Sequence, residues 1–186
     1  MAQNDYRIKI FQDFNDSDLK TSWIQLENDS DVFPQMYYEW IEPWWRHKKG
    51  RKKLHIVTAV DKNEKIVGIA PFCIKNVWGI KFLENIPIHF GDFYDFILDK
   101  TISKELYLLI FGYCNSFKSW HLVQINHVTN AFSIFDELKC MKNCVLDKVS
   151  DVIIIDINFE TFEKYLAQLS KKENKHFRRR LRRLKE

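Results

Sequence analysis

The chain has 186 residues, 46% of them hydrophobic and 15% aromatic, with only five Gly and four Pro, a composition that excludes a disordered or low-complexity protein. Its length exceeds the commonest domain size of roughly 100–150 residues, which allows one domain with an appendage or the first half of something larger. The net charge is only +4, yet residues 171–186 carry nine Lys/Arg against two Glu, so the chain before them is slightly acidic.

Loose alternation over residues 6–11 predicts a first strand. Asp16 or Ser17 then caps a helix through Leu19, Trp23 and Leu26. Pro34 opens a second helix, in which Met36, Tyr37, Trp40, Ile41, Trp44 and Trp45 supply a broad aromatic face; Trp40, Trp44 and Trp45 could stack bases or sugars, but at i, i+4 and i+5 of an amphipathic helix they read as core. Pro43 is expected to kink or restart that helix, because it lacks an N–H for the preceding turn, and Gly50 ends it. Leu54–Val60 and Ile66–Ile74, two β-branched runs joined by the polar stretch 61–65, read as a hairpin at the centre of a sheet, disturbed at Gly68 and Pro71. Beyond it the pattern predicts a short strand at Lys81–Asn85, a strand at Phe93–Leu98, a helix at Ser103–Phe117 and a strand at Trp120–Ile125. A short helix at Ala131–Lys139, a buried strand at Val152–Ile157 and a helix at Phe159–Leu169 follow. Ser170 with Glu173 forms a capping box for a last amphipathic helix, with Phe177, Leu181 and Leu184 on one face. The result is a mixed α/β chain without repeats.

The N-terminus lacks an apolar leader segment, and the longest apolar run, Leu106–Phe111, is far below the roughly 18 residues of a membrane span. Cys73, Cys114, Cys140 and Cys144 are scattered among apolar neighbours, which fits a reducing compartment and a cytoplasmic protein. Cys140 and Cys144 with His121 and His127 lack the compact paired spacing of a structural zinc site, so no metal is expected. No Gly-x-Ser-x-Gly elbow or activated cysteine offers a covalent nucleophile, and the five dispersed glycines form no phosphate-cradling loop. No catalytic residue is assigned.

The stretch Pro87–Phe96 brings His89, Asp92, Tyr94 and Asp95 into an apolar setting. As a strand, Phe93–Leu98 would place Asp95 opposite Tyr94, with Asp92 at the mouth. One reading is a turn-capping Asp92 and an Asp95 paired with a nearby Lys or Arg. The other is an acidic lining for a cleft that receives an amine or a sugar hydroxyl. The arginines of the last helix, Arg178, Arg179, Arg182 and Arg183, read either as an interdomain face or as a phosphate-tracking arm. The acidic body and the lack of an accompanying aromatic platform argue against an independent nucleic-acid module.

The order Trp23, Phe33-Pro34 into Trp40-x-x-x-Trp44-Trp45, Val67-Gly68-Ile69-Ala70-Pro71, Gly91-Asp92-Phe93-Tyr94-Asp95 and Leu169-Ser170-x-Lys172 running into Arg178-Arg179-x-x-Arg182-Arg183-Leu184 resembles the CelD-like acetyltransferases of the GNAT superfamily. The resemblance covers nearly the whole chain. It implies a GNAT-like α/β (α+β) fold with a central, mostly antiparallel mixed sheet flanked by helices. It further implies a tandem architecture, of which residues 1–169 are the N-terminal half-domain and 170–186 a basic interdomain helix, truncated here. The implied reaction is transfer of an acyl group from acetyl-CoA or another acyl-CoA to an amine or hydroxyl of an amino-sugar, a polysaccharide precursor or a similar small acceptor. The family's Asp-Tyr-x-Asp turn maps onto Asp92, Tyr94 and Asp95, with Phe93 intervening, as acceptor-site residues. Because its pyrophosphate loop has no counterpart here, the donor is expected to bind mainly to the downstream half. The alternatives are a nucleic-acid-binding protein using its basic helix and a non-catalytic scaffold half.

Overall fold

Leu54–Val60 and Ile66–Cys73 are buried at every position, so these two strands need cover on both faces of their sheet. The computed structural model describes residues 5–30, 32–87, 93–116, 119–128, 133–141, 143–147 and 160–183. Two compact units divide the chain, Met1–Val145 and Leu146–Glu186.

The first unit is built on a six-stranded mixed sheet. Strands β1 (Tyr6–Phe11), β2 (Lys53–Asp61), β3 (Ile66–Val77) and β4 (Ile80–Asn85) run antiparallel in that order, and β6 (Leu122–Gln124) adds parallel to β4. The two-residue strand β5 (Ile97–Leu98) pairs with Gly68 and Ile69 of β3. The hairpin expected from its β-branched runs is therefore β2–β3, with β3 at the centre. Its register slips between Ala59 and Val60, so Val67 is the extra residue of a bulge beside Gly68. Glycine is required there by close approach, since a Cβ would lie 2.9 Å from a Leu98 methyl. Pro71 lies on β3 between its pairings with β5 and β4, where it has no donor to lose, and its carbonyl accepts from the Ile86 N–H at 3.0 Å.

Helix α1 (Ser17–Asp29) starts where Asp16 Oδ1 accepts from the Asp18 and Leu19 N–H groups, and it buries Leu19, Trp23 and Leu26. It packs on β3 and β5, while α3 (Ser103–Cys114) covers the face that presents His55 and Gly68. The single helix expected from Pro34 is instead a 3-10 turn, Pro34–Met36, and a separate helix α2 (Tyr38–Lys48). Tyr37 is extended between them because the Tyr38 N–H donates to the buried Glu27 carboxylate at 2.8 Å, so the break falls there while α2 runs through Pro43. Tyr38, Ile41 and Trp45 take the core face of α2, Trp44 packs at its margin, and Trp40 is 48% exposed, contrary to its expected core position. A three-, four-residue stripe ending at Trp45 leaves Trp40 on the outer side.

The expected strand Phe93–Leu98 is reduced to β5. The Tyr94 N–H donates to the His127 carbonyl and the Phe96 N–H to Asp95 Oδ1, so neither is free for a ladder. Helix α4 (Ser133–Lys139) follows β6. The expected strand Val152–Ile157 lies outside the described residues.

In the second unit, α5 (Phe162–Gln168) and α6 (Lys171–Arg183) meet through Phe162 and Phe177, whose ring centroids are 5.8 Å apart. The capping box forms: the Ser170 N–H donates to Glu173 Oε2, and the Glu173 N–H donates to Ser170 Oγ. No residue of α6 is buried. Among the described residues no helix is long and apolar enough to cross a membrane.

Candidate functional site

A parallel pair in an otherwise antiparallel sheet brings two loops together at its carboxyl end, the position where open α/β sheets bind ligands. Here the pair is β4–β6, and its last matched residues are Glu84 and Gln124. One residue later the strands part, and the Asn85 carboxamide spans the gap. Its Oδ1 accepts from the Asn126 N–H at 2.7 Å, while its Nδ2 donates to the Asn126 carbonyl at 3.4 Å. A buried side chain, 1% exposed, thus replaces the ladder where the strands diverge. His127 follows in a left-handed conformation, with φ of 63°, and its side chain is exposed.

Glu84 points to the opposite face from Asn85 by strand alternation. It is 3% exposed, its nearest cation is Lys75 at 4.0 Å, and its Oε2 meets no hydrogen-bond partner among the described residues. An orphaned carboxylate oxygen inside a fold is costly unless a donor reaches it. Cys73, opposite Glu84 on β3, is no nucleophile, because burial, reinforced by the Glu84 charge, pushes its thiol up to about 12.

Of the residues singled out by sequence, His89 and Asp92 lie outside the described residues. Tyr94 is fully buried, its hydroxyl donating to the Pro71 carbonyl at 3.3 Å, and burial raises its pKa. Asp95 is half-buried. Desolvation pushes its carboxyl up to about 6, against the pull of the Tyr107 hydroxyl and the Phe96 and Ile134 N–H groups that donate to it. Its partner is thus a tyrosine on α3 and the backbone, rather than the Lys or Arg expected. The Tyr94 N–H holds the His127 carbonyl in the loop that follows β6, whereas Asp95 ties to α3 and α4. In the second unit, Arg178 donates to Asn174 Oδ1 and to Glu163, whereas Arg179, Arg182 and Arg183 are exposed.

Sequence reasoning passed over Glu84, Asn85 and Asn126. The available signal was two adjacent polar residues closing the apolar strand Ile80–Asn85, which reads equally well as a strand running out to solvent.

A phosphate-bearing co-substrate needs converging N–H groups or cations. The N-terminus of α3 has no side-chain cap, but Asp99 stands just before it, accepting from the Thr101 N–H and hydroxyl at 3.0 and 2.7 Å. A cavity of about 360 Å³ beside it is lined by Asp5, Asp61 and Asp99 as well as Lys62 and Lys65. This end of the sheet is no anion cradle. Among the described residues, no group of three or more His, Cys, Asp or Glu side chains is placed to hold a metal.

The fold is similar to that of a solved acetyltransferase. An aminoglycoside acetyltransferase from an uncultured soil metagenomic sample, solved in complex with sisomicin, superposes with a TM-score of 0.53 at 15% identity, over 82% of this chain and 97% of that one. Glucosamine-6-phosphate N-acetyltransferase from Arabidopsis thaliana gives 0.42 at 15% identity, covering 77% of this chain and 97% of its own. A possible acetyltransferase from Clostridium difficile 630 gives 0.39 at 14%, covering 80% and 99%. No protein-family model and no curated protein sequence matches the chain. The mixed sheet flanked by helices is that of the GNAT acetyltransferases.

Proposed function

We propose that this chain is a GNAT-type acyltransferase unit that passes an acyl group from acyl-CoA to the amine of a small acceptor such as an amino-sugar. The observation that carries the reading is the β4–β6 pair, parted beyond Glu84 and Gln124 within a fold that spans 97% of an aminoglycoside acetyltransferase. The opening admits the acceptor. Glu84 takes the proton of the attacking ammonium; the amine nitrogen then forms a C–N bond to the thioester carbonyl carbon, the C–S bond breaks, and the surplus proton left on the nitrogen passes to the departing thiolate, directly or through solvent. Asn85 and the Tyr94 N–H hold the two strands and the following loop in position.

The donor site is a separate question within this reading. With Asp99 at the α3 N-terminus and three carboxylates in the adjoining cavity, the CoA phosphates gain little from that end of the body. We place most of the donor contacts in a following acyltransferase half, with α6 between the halves. The exposure of Phe177 and of Arg179, Arg182 and Arg183 supports this placement. A scaffold half without chemistry is the competing reading, favoured by the burial of Glu84 and Tyr94.

The deciding experiment follows thiol release from acetyl-CoA with a panel of aminoglycosides and amino-sugars, using this chain and any longer gene product. Amine-dependent thiol release, lost in Glu84→Gln, is expected from at least one of them. Its absence from both overturns the reading.

A further inference from the structure

Strand β1 ends at Phe11, opposite Ile56, whereas β2 reaches back to Lys53, so β1 does not extend alongside Lys53, Leu54 and His55. The sheet therefore has a notch on this edge. The notch holds a cavity of about 530 Å³, within the usual range for small-molecule sites. Lys49, Arg51, Lys52 and Lys53 line it together with Trp45 and His55, and among the described residues no carboxylate lines it.

The sequence around the notch is unusually basic, with six Lys/Arg and no Asp or Glu among the eight residues Arg46–Lys53. Part of this has a local explanation. Arg46, His47 and Lys48 occupy the last turn of α2, where cations complement the helix dipole, and Arg46 is held by Glu42 at 2.5 Å. The four lining cations come after the helix. There the Lys52 N–H donates to the Lys49 carbonyl at 3.0 Å, and Gly50, with φ of 56°, closes a turn that curls the cationic segment around the cavity. His55, whose pKa is lowered by burial, adds no charge at neutral pH; its Nε2 meets the Tyr113 hydroxyl at 2.8 Å and forms a polar floor. Four like charges around one concavity repel one another, and a compact anion relieves that repulsion.

We propose that the β2 notch binds a soluble small molecule through a compact, multiply charged phosphate group. Arg51 supplies a planar fork suited to two phosphate oxygens, and the lysines supply point charges around it. The concave shape, walled by Trp45, fits a small soluble ligand better than a flat lipid surface or a nucleic-acid backbone. The notch lies two strands across from Glu84 on the far side of β3, about 10 Å at ordinary strand spacing.

Inorganic pyrophosphate is the probe. Calorimetry at physiological salt is expected to show saturable binding of one pyrophosphate per chain. Binding should weaken at least about tenfold in Lys49→Gln/Arg51→Gln/Lys52→Gln and be unchanged in Arg179→Ala/Arg182→Ala/Arg183→Ala. A second measurement needs no variant: limiting amine acetylation of the unaltered chain, read by mass spectrometry, should show pyrophosphate protecting Lys49, Lys52 and Lys53 but not Lys172 and Lys175 of α6. Absence of saturable binding, loss of binding in the α6 variant alone, or equal protection of both lysine sets overturns the proposal. Tighter binding to anionic phospholipid vesicles or to DNA than to pyrophosphate overturns it as well.

Discussion

The Tyr107 hydroxyl donates to Asp95 Oδ1 at 2.5 Å, joining α3 to the segment that leads into β5. The same carboxylate accepts from the Phe96 N–H at 2.6 Å and from the Ile134 N–H at the start of α4. One side chain thus ties three elements together. The Tyr107 and Phe96 rings also meet at a tilt of 33°, with centroids 5.6 Å apart, so the polar tie sits at the rim of an aromatic cluster.

That tie makes stability depend on pH in a stated direction. The Asp95 carboxyl is raised from 3.8 to about 6, so between these values the folded chain holds a proton that the unfolded chain has lost. Its contribution is therefore full below about pH 4 and is lost as pH rises from there through about 6, by on the order of 3 kcal/mol. His55, with its pKa lowered, acts in the opposite sense, losing stability as pH falls below its unfolded value. The difference between the parent chain and Asp95→Asn in urea unfolding isolates the Asp95 term. The parent should lose stability relative to Asp95→Asn between pH 4 and 7, and a flat difference would remove the argument.

Tyr107→Phe leaves the Asp95 carboxylate one donor short while preserving the ring. The expected cost is about 1–3 kcal/mol at pH 7, shrinking as the carboxyl is protonated. Paired with Asp95→Asn in a double-mutant cycle, it should show coupling; strictly additive effects would mean that the two side chains act independently.

Asn85→Ala removes the bridge across the parted strands and leaves the Asn126 N–H without its acceptor. A loss of about 1–3 kcal/mol is expected in denaturant unfolding, with faster amide exchange at Asn126. Unchanged exchange there would show that the carboxamide does not pin the opening.

Glu84→Gln separates chemistry from stability. Removing a buried negative charge whose Oε2 has no partner should leave the chain as stable or more so, while acyl transfer by the active form falls by roughly 10²–10⁴-fold, as for loss of a general base. A stable variant with full activity would exclude Glu84 from the reaction.

Acetyl-CoA titrated into residues 1–186 at physiological salt should give no saturable, salt-resistant binding in excess of that of pyrophosphate, because the α3 N-terminus is flanked by Asp99. Restoring a downstream half should create such binding. A tight stoichiometric complex with the short chain would place the whole donor site within it.

Local physics made much of this fold legible in the chain. The β-branched runs of β2 and β3 need no partner knowledge to read as strands, and Asp16 and the Ser170–Glu173 pair announce their helices because capping is a matter of three or four residues. Tertiary structure alone decided the candidate site. Glu84 and Asn85 look like the polar end of a strand until β6, 40 residues on, pairs parallel to β4 and then departs. Asp95 took Tyr107 rather than a lysine because α3 packs its aromatic face over that segment. The cations of residues 46–53 went unremarked in the sequence, and only the shortfall of β1 turned their surroundings into a cavity. Strand pairing between distant segments is settled by which surfaces bury together, and no window of neighbouring residues carries that information.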